Sequence, residues 1–158
     1  MRANSVGKEN VEAMYAYLAG FIDGDGSIMA LIERHKEKRF GWRVRIVLKI
    51  TQKNEEDVSF LPSLTGYGAI CKNGKTWDWK TRNQNDIVNI LTQVQPYARV
   101  KRRQIDLALK ILQTPIESQQ DLLDVASVAD ALSRFNVRSN NRRKNYVTKI
   151  QTFFSSND

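Results

Sequence analysis

The sequence predicts an α+β fold in the order α-β-β-α-β-β-α, with an antiparallel sheet and extra helices at the C-terminal end. Three observations predict it. Residues 11 to 24 repeat apolar side chains at helical spacing, residues 42 to 52 alternate between two faces, and Asn73-Gly74 signals a tight hairpin turn. Of 158 residues 41% are apolar, enough for a real core, and one domain over residues 1 to 158 is expected.

The first helix carries two stripes. Tyr15, Leu18 and Ile22 form an apolar side, whereas Ala16, Gly20 and Gly24, at i, i+4 and i+8, form a side with almost no side chain. A glycine inside a helix costs about 1 kcal/mol relative to alanine. A helix stop explains Gly24, but Gly20 asks for the close approach of another backbone. Residues 1 to 8, polar and containing Gly7, are expected to form a loose arm.

Two hairpins follow. In WRVRIVLKITQ, Trp42, Val44, Ile46, Leu48 and Ile50 face a core, while Arg43, Arg45, Val47, Lys49 and Thr51 face away. Residues 27 to 35 are the antiparallel partner, turning through residues 37 to 41. In CKNGKTWDW, pairing outward from Asn73-Gly74 sets Lys72 opposite Lys75, Cys71 opposite Thr76, Ile70 opposite Trp77 and Ala69 opposite Asp78. Ile70, Trp77 and Trp79 then share the buried face, with Cys71, Asn73, Asp78 and Lys80 on the other. The remainder reads as helices: EEDVSFLPSL between the hairpins, NDIVNILTQV up to Pro96, then RVKRRQIDLALKIL, QDLLDVASVADAL and YVTKIQTFF. Residues 136 to 158 form a basic C-terminal helical segment.

Charge and composition narrow the function. With 25 Lys and Arg against 17 Asp and Glu, the net charge of +8 favours a polyanionic partner, nucleic acid first. Cys71 is the only cysteine, which excludes an intramolecular disulfide and a cysteine-based zinc site and fits a reducing, intracellular compartment. No stretch resembles a signal peptide or approaches about 18 consecutive apolar residues, so no membrane role is expected.

A sheet face lined with cations can lie along a duplex, because a two-stranded ribbon fits the major groove. Arg43 and Arg45 are candidates to read guanines, Asn73 an adenine, and Met29 or Leu31 a thymine methyl. Glu33, His35, Lys49, Cys71, Lys72, Lys75, Asp78 and Lys80 are the other candidate contacts on the hairpins. Residues 134 to 157 contain no acid, and Arg138, Arg142, Arg143 and Lys144 there are candidate phosphate contacts. A solvated basic surface would show the same pattern.

The stretch YLAGFIDGDGSI ends the first helix on two carboxylates, Asp23 and Asp25, set among glycines. It is no calcium loop, since Ile28 and Arg34 stand where the loop's Gly and Glu belong. No phosphate-binding glycine loop is present, and a single His argues against a hydrolase triad. A carboxylate at a helix end is, however, a good ligand for Mg²⁺, which takes one or two protein carboxylates beside substrate phosphates. The Gly24 carbonyl, beyond the helix's own ladder, can add a second oxygen. One such helix supplies too few ligands for two-metal phosphodiester chemistry, whereas a twofold dimer packed through Ala16, Gly20, Phe21 and Gly24 would bring two Asp25 side chains together.

LAGFIDGDG resembles the signature of the LAGLIDADG homing endonucleases, and its single copy resembles their single-motif, homodimeric branch. ITQK at 50 to 53 and QPYARVKRRQ at 95 to 104 also resemble that family, whose order and spacing match over roughly residues 12 to 135. The resemblance implies the homing-endonuclease fold and a homodimer that hydrolyses both strands of a long, partly palindromic double-stranded DNA site, leaving short 3′ overhangs. A mobile intron is the implied coding context. The same resemblance makes Asp25 the metal-binding aspartate with Gly24 beside it, Gln52 the residue that organises water, and Lys101 the lysine that activates water or offsets phosphate charge. Asp23 is read as structural. Mg²⁺ is the implied ion, with Mn²⁺ a substitute and Ca²⁺ supporting binding without cleavage. Where close single-motif relatives have an Arg four positions after the Gln, this chain has Glu56, with Lys53 as the alternative cation. An intron RNA maturase and a non-cleaving DNA-binding regulator are the competing readings. A merely structural dimer leaves the basic sheet unexplained.

Overall fold

In the computed structural model, which describes residues 3 to 136 and 144 to 157, the chain runs α1 (Ala3–Asp25), β1 (Gly26–Arg34), β2 (Trp42–Gln52), α2 (Leu61–Thr65), β3 (Ala69–Asn73), β4 (Thr76–Thr81), α3 (Gln84–Val94), α4 (Arg102–Gln113), α5 (Gln119–Asn136) and α6 (Tyr146–Ser155), with a 3₁₀ turn at Glu55–Asp57. The predicted α+β order holds. α1 starts at Ala3, so residues 3 to 8 are helix rather than a loose arm. The strands join into one sheet in the order β1-β2-β4-β3. By contacts the chain falls into two compact units, residues 1 to 27 with 48 to 103, and residues 28 to 47 with 104 to 158.

In the first unit α1 packs against α3. Leu18, Ala19 and Ile22 of α1 and Ile87, Ile90, Leu91 and Val94 of α3 have no exposed surface, as helical spacing requires of apolar stripes. The chain reverses directly from α1 into β1 at Gly26. A Cβ there would lie 2.7 Å from the backbone of Ile22, so only glycine fits the reversal. α3 is capped by Asn83, whose side chain accepts the Asp86 amide, and it ends before Pro96.

The second hairpin turns one residue later than expected, so each residue's partner moves by two positions. Asn73 lies opposite Thr76, Lys72 opposite Trp77, Cys71 opposite Asp78 and Ile70 opposite Trp79. Gly74, at φ +60°, takes the first central position of the turn and Lys75, without a positive φ, the second, as in a type II′ turn. Asn73 instead stays in the strand and its side chain donates to Asp78. A shift of two keeps Ile70, Trp77 and Trp79 on one face and Cys71, Asn73, Asp78 and Lys80 on the other, as expected. Trp79 is fully buried and donates from Nε1 to the Tyr67 carbonyl at 2.9 Å. Gly68 makes room for that ring, since a Cβ would meet Nε1 at 2.5 Å.

The second unit buries Ile28, Ala30 and Ile32 of β1 and Ile46 of β2 with apolar side chains of α4, α5 and α6. Val47 was expected on the open face, yet it is only 3% exposed. Trp42 and Val44 are only half-buried. Trp42 meets Phe153 of α6 edge-on at 5.7 Å, and the Arg34 guanidinium lies 3.6 Å from the Phe153 ring centre. α6 is docked by a buried acid of α5: Asp130 accepts the amides of Tyr146 at 2.7 Å and Val147 at 3.2 Å, two donors the helix cannot satisfy itself.

Candidate active site and nucleic-acid interface

The end of α1 gathers three segments of the first unit. Asp25, its last residue, is exposed, and its Oδ2 accepts from Nε2 of Gln52 at 2.8 Å. Gln52 is carried there by the end of β2, whose partner in β4 is Trp77. Asp23 turns the other way. Its two oxygens accept the backbone amides of Arg99 at 2.8 Å and Lys101 at 2.9 Å, pinning the segment before α4 onto α1. The Lys101 ammonium then donates to the Asp23 carbonyl at 2.8 Å, a cation on the negative end of a helix. The predicted trio Asp25, Gln52 and Lys101 is thus brought to one helix end. Asp25 and Gln52 touch directly, while Lys101 is anchored to the backbone beside them.

Partial burial pushes the Asp23 carboxyl up, but hydrogen bonds from the amides of Arg99, Lys101 and Val100, together with the Lys101 charge, outweigh it and leave the group below the ordinary carboxylate range. Asp23 is therefore the clamp of this site. Among the described residues, no three His, Cys, Asp or Glu side chains converge as a metal site. The chain offers the Asp25 carboxylate and the Gly24 carbonyl, an all-oxygen pair suited to a hard cation whose other ligands would come from outside the chain.

Ala16, Gly20 and Gly24 form an open stripe. All three are exposed, and a Cβ at Gly20 or Gly24 would meet nothing within 4 Å. Phe21 is half-buried beside Tyr17, itself 52% exposed, which also neighbours Phe60.

The predicted readout residues are arranged differently in each unit. In the second unit Met29, Leu31, Glu33 and His35 are half-buried and alternate with the core residues of β1. Arg43 and Arg45 both converge on Oε1 of Glu33, Arg45 at 3.3 Å. The Arg43 hydrogen bond, outweighing slight desolvation and aided by the charges of Arg45, Arg43 and His35, lowers the Glu33 carboxyl. Glu33 thus orients two arginines. In the first unit Lys49 and Lys80 are half-buried, and Cys71, Asn73 and Lys75 are exposed. Lys72 is corrected: it shares the face of Ile70 and Trp77, with its ammonium 5.6 Å from the Trp77 ring centre, because strand alternation places it there. Asp78 is corrected too. It is 1% exposed, held by neighbouring side chains, and is no surface contact. Lys144 is exposed, its amide resting on Ser133 Oγ, while Arg138, Arg142 and Arg143 lie outside the described residues. Thr51, which carried no predicted role, lies beside Asp78 among the candidate readout residues, and its place on the open side of the β2 alternation was the available signal.

The profile of the LAGLIDADG endonuclease family matches residues 18 to 112, which hold the α1 motif, the sheet's two inner strands and Lys101. The chain belongs to the LAGLIDADG endonuclease family. It is 33% identical over 126 residues to the DNA endonuclease I-CreI of Chlamydomonas reinhardtii, covering 76% of this chain and 77% of that one. DNA endonuclease I-CvuI of Chlorella vulgaris is 27% identical over 121 residues, 73% of this chain and 75% of that one. The structure of I-CvuI, solved with DNA in the presence of Mg and of Ca, superposes with a TM-score of 0.82 over 92% of this chain and 95% of that one, at 22% identity. That of the archaeal intron-encoded I-Vdi141I, complexed with DNA, gives 0.77 over 90% and 94%, also at 22% identity.

Proposed function

We propose that this endonuclease cuts both strands of a long, partly palindromic DNA site as a homodimer, using a divalent cation. The observation that carries the reading is the Asp25 carboxylate, exposed at the end of α1 and held by Gln52 at 2.8 Å, with Lys101 anchored on the same helix end. That arrangement also favours cleavage over a regulator that only binds DNA, which would have no use for it. The relatives I-CreI and I-CvuI are DNA endonucleases by name, and both argue for DNA as the substrate.

Each residue has a task at a phosphodiester. Bound by the Asp25 carboxylate and the Gly24 carbonyl, a cation such as Mg²⁺ would offset phosphate charge and make water a stronger nucleophile. Gln52 keeps the carboxylate turned outward with its Nε2, leaving Oε1 to accept a proton of water and orient it. Lys101, fixed by the Asp23 carbonyl, contributes a positive charge that favours the more negative transition state. Each protomer supplies one such set, and the side-chain-free stripe of Ala16, Gly20 and Gly24 is the surface on which a second copy packs. Two protomers would span roughly 20 base pairs, about one helical turn each.

A cleavage selection on randomised double-stranded DNA tests the reading. Specific double-strand cuts are expected with Mg²⁺ and Mn²⁺ and binding without cuts with Ca²⁺. Asp25→Asn should abolish cutting and keep specific binding. Wild-type rates from Asp25→Asn would refute the metal assignment.

A further inference from the structure

Asp78 stands in β4 between Thr51 of β2 and Cys71 of β3, on the face that carries Lys49 and Asn73, yet it is 1% exposed. Both of its oxygens are engaged. Oδ1 accepts the Thr51 hydroxyl proton at 2.6 Å, and Oδ2 accepts from Asn73 Nδ2 at 3.3 Å and faces Lys49 Nζ at 3.7 Å. A buried carboxylate is costly unless paired, so this one constrains the groups that pair it. Those groups belong to the two strands that flank β4 and lie on the face proposed to meet DNA.

We propose that Asp78 is a specificity-determining positioning residue, which without touching DNA fixes the hydrogen-bonding groups that Thr51 and Asn73 present to base edges. The proposal rests on the reading of the chain as a DNA endonuclease. A hydroxyl has one proton and two lone pairs and turns to suit its neighbours. A carboxylate only accepts, so the Thr51 proton is committed to Asp78 and only lone pairs face outward. Thr51 then suits the amino group of cytosine or adenine in the major groove and is mismatched against the acceptors of guanine and thymine. Asn73 gives one N–H to Asp78 and keeps its other N–H and its carbonyl oxygen, the donor and acceptor that match adenine. Thr51 directly precedes Gln52, so the base pairs it reads adjoin the cleaved phosphates.

The test measures kcat/KM for the full-length protein on a panel of targets, each base pair of the half-site substituted in turn. The variants are Asp78→Asn, Thr51→Val, Thr51→Ser and the double variant Asp78→Asn with Thr51→Val. An amide at position 78 donates as well as accepts, which frees the hydroxyl to present its proton. Asp78→Asn is expected to collapse the preference about tenfold at the same base pair where Thr51→Val collapses it, with no further loss in the double variant. Thr51→Ser keeps the hydroxyl and should retain the preference. An unchanged preference profile for Asp78→Asn, or a loss by one common factor on every target, would overturn the proposal. Should Asp78→Asn fail to fold, the Thr51 pair decides, and equal profiles for Val and Ser overturn it. Failure of the endonuclease reading itself would show separately, as absence of cutting by the unmutated protein.

Discussion

At the end of α1, two carboxylates two positions apart serve different partners: Asp23 takes the amides of Arg99 and Lys101, and Asp25 takes Gln52. The glycines between and after them differ as well. Gly24 faces open space, whereas Gly26 is required by the reversal against Ile22. Asp23 carries a pH signature. Its folded carboxyl titrates below the ordinary value, so its contribution is complete above the unfolded pKa of about 4 and is lost as pH falls through the depressed folded value. Asp23→Ala should therefore cost about 1 kcal/mol at pH 7, and its deficit against wild type should shrink in urea melts at pH 3. A deficit equal at both values would show that the carboxylate charge is not what holds the segment carrying Lys101. Gly26→Ala, forcing a Cβ into the Ile22 backbone, should destabilise far more than Gly24→Ala, and thermal melts of the pair decide it.

Among elements, α1 and α6 are held by opposite devices. α1 presents a bare stripe that nothing in the described protomer covers, so Gly20→Leu is expected to have effects of opposite sign. The protomer should gain up to about 1 kcal/mol of helix propensity, while sedimentation should show the dimer lost. An intact dimer would place the interface elsewhere. α6 instead depends on one buried acid, and Asp130→Ala should cost about 1–3 kcal/mol and speed amide exchange in α6 before α5. The helices and hairpins were legible in the sequence because their signals are local: apolar spacing around Leu18 and Ile22, alternation along β2, and the glycine at the turn. Register was not. Asn73-Gly74 can fill a turn in two ways, and in the one adopted Asn73 donates to a side chain of the other strand, Asp78. Alternation likewise assigns a face but not a depth, so neither the burial of Asp78 and Val47 nor the docking role of Asp130 could be read. The pairing of Asp25 with Gln52 was reachable only through the family resemblance, since no local pattern joins a helix end to a distant strand end.

At the scale of the whole molecule, a single protomer is short of ligands for a cation. If Asp25 and Gly24 hold the cation as proposed, a protomer supplies it one carboxylate and one carbonyl, and among the described residues no richer acidic cluster exists to replace them. If the working enzyme is a twofold dimer, each chain contributes half of the machinery, and a defective chain spoils any dimer it enters. Mixing wild-type and Asp25→Asn chains in equal amounts, under conditions that allow exchange, should give dimers in about a 1:2:1 ratio. Double-strand cutting should then fall to about a quarter of the all-wild-type value at the same total protein, because only dimers with two intact Asp25 residues cut both strands. Linearisation of a supercoiled plasmid bearing the selected site reads this directly. A fall only to about half, in proportion to the wild-type chains present, would mean that each chain cuts by itself, and the bare stripe of α1 would then need another explanation.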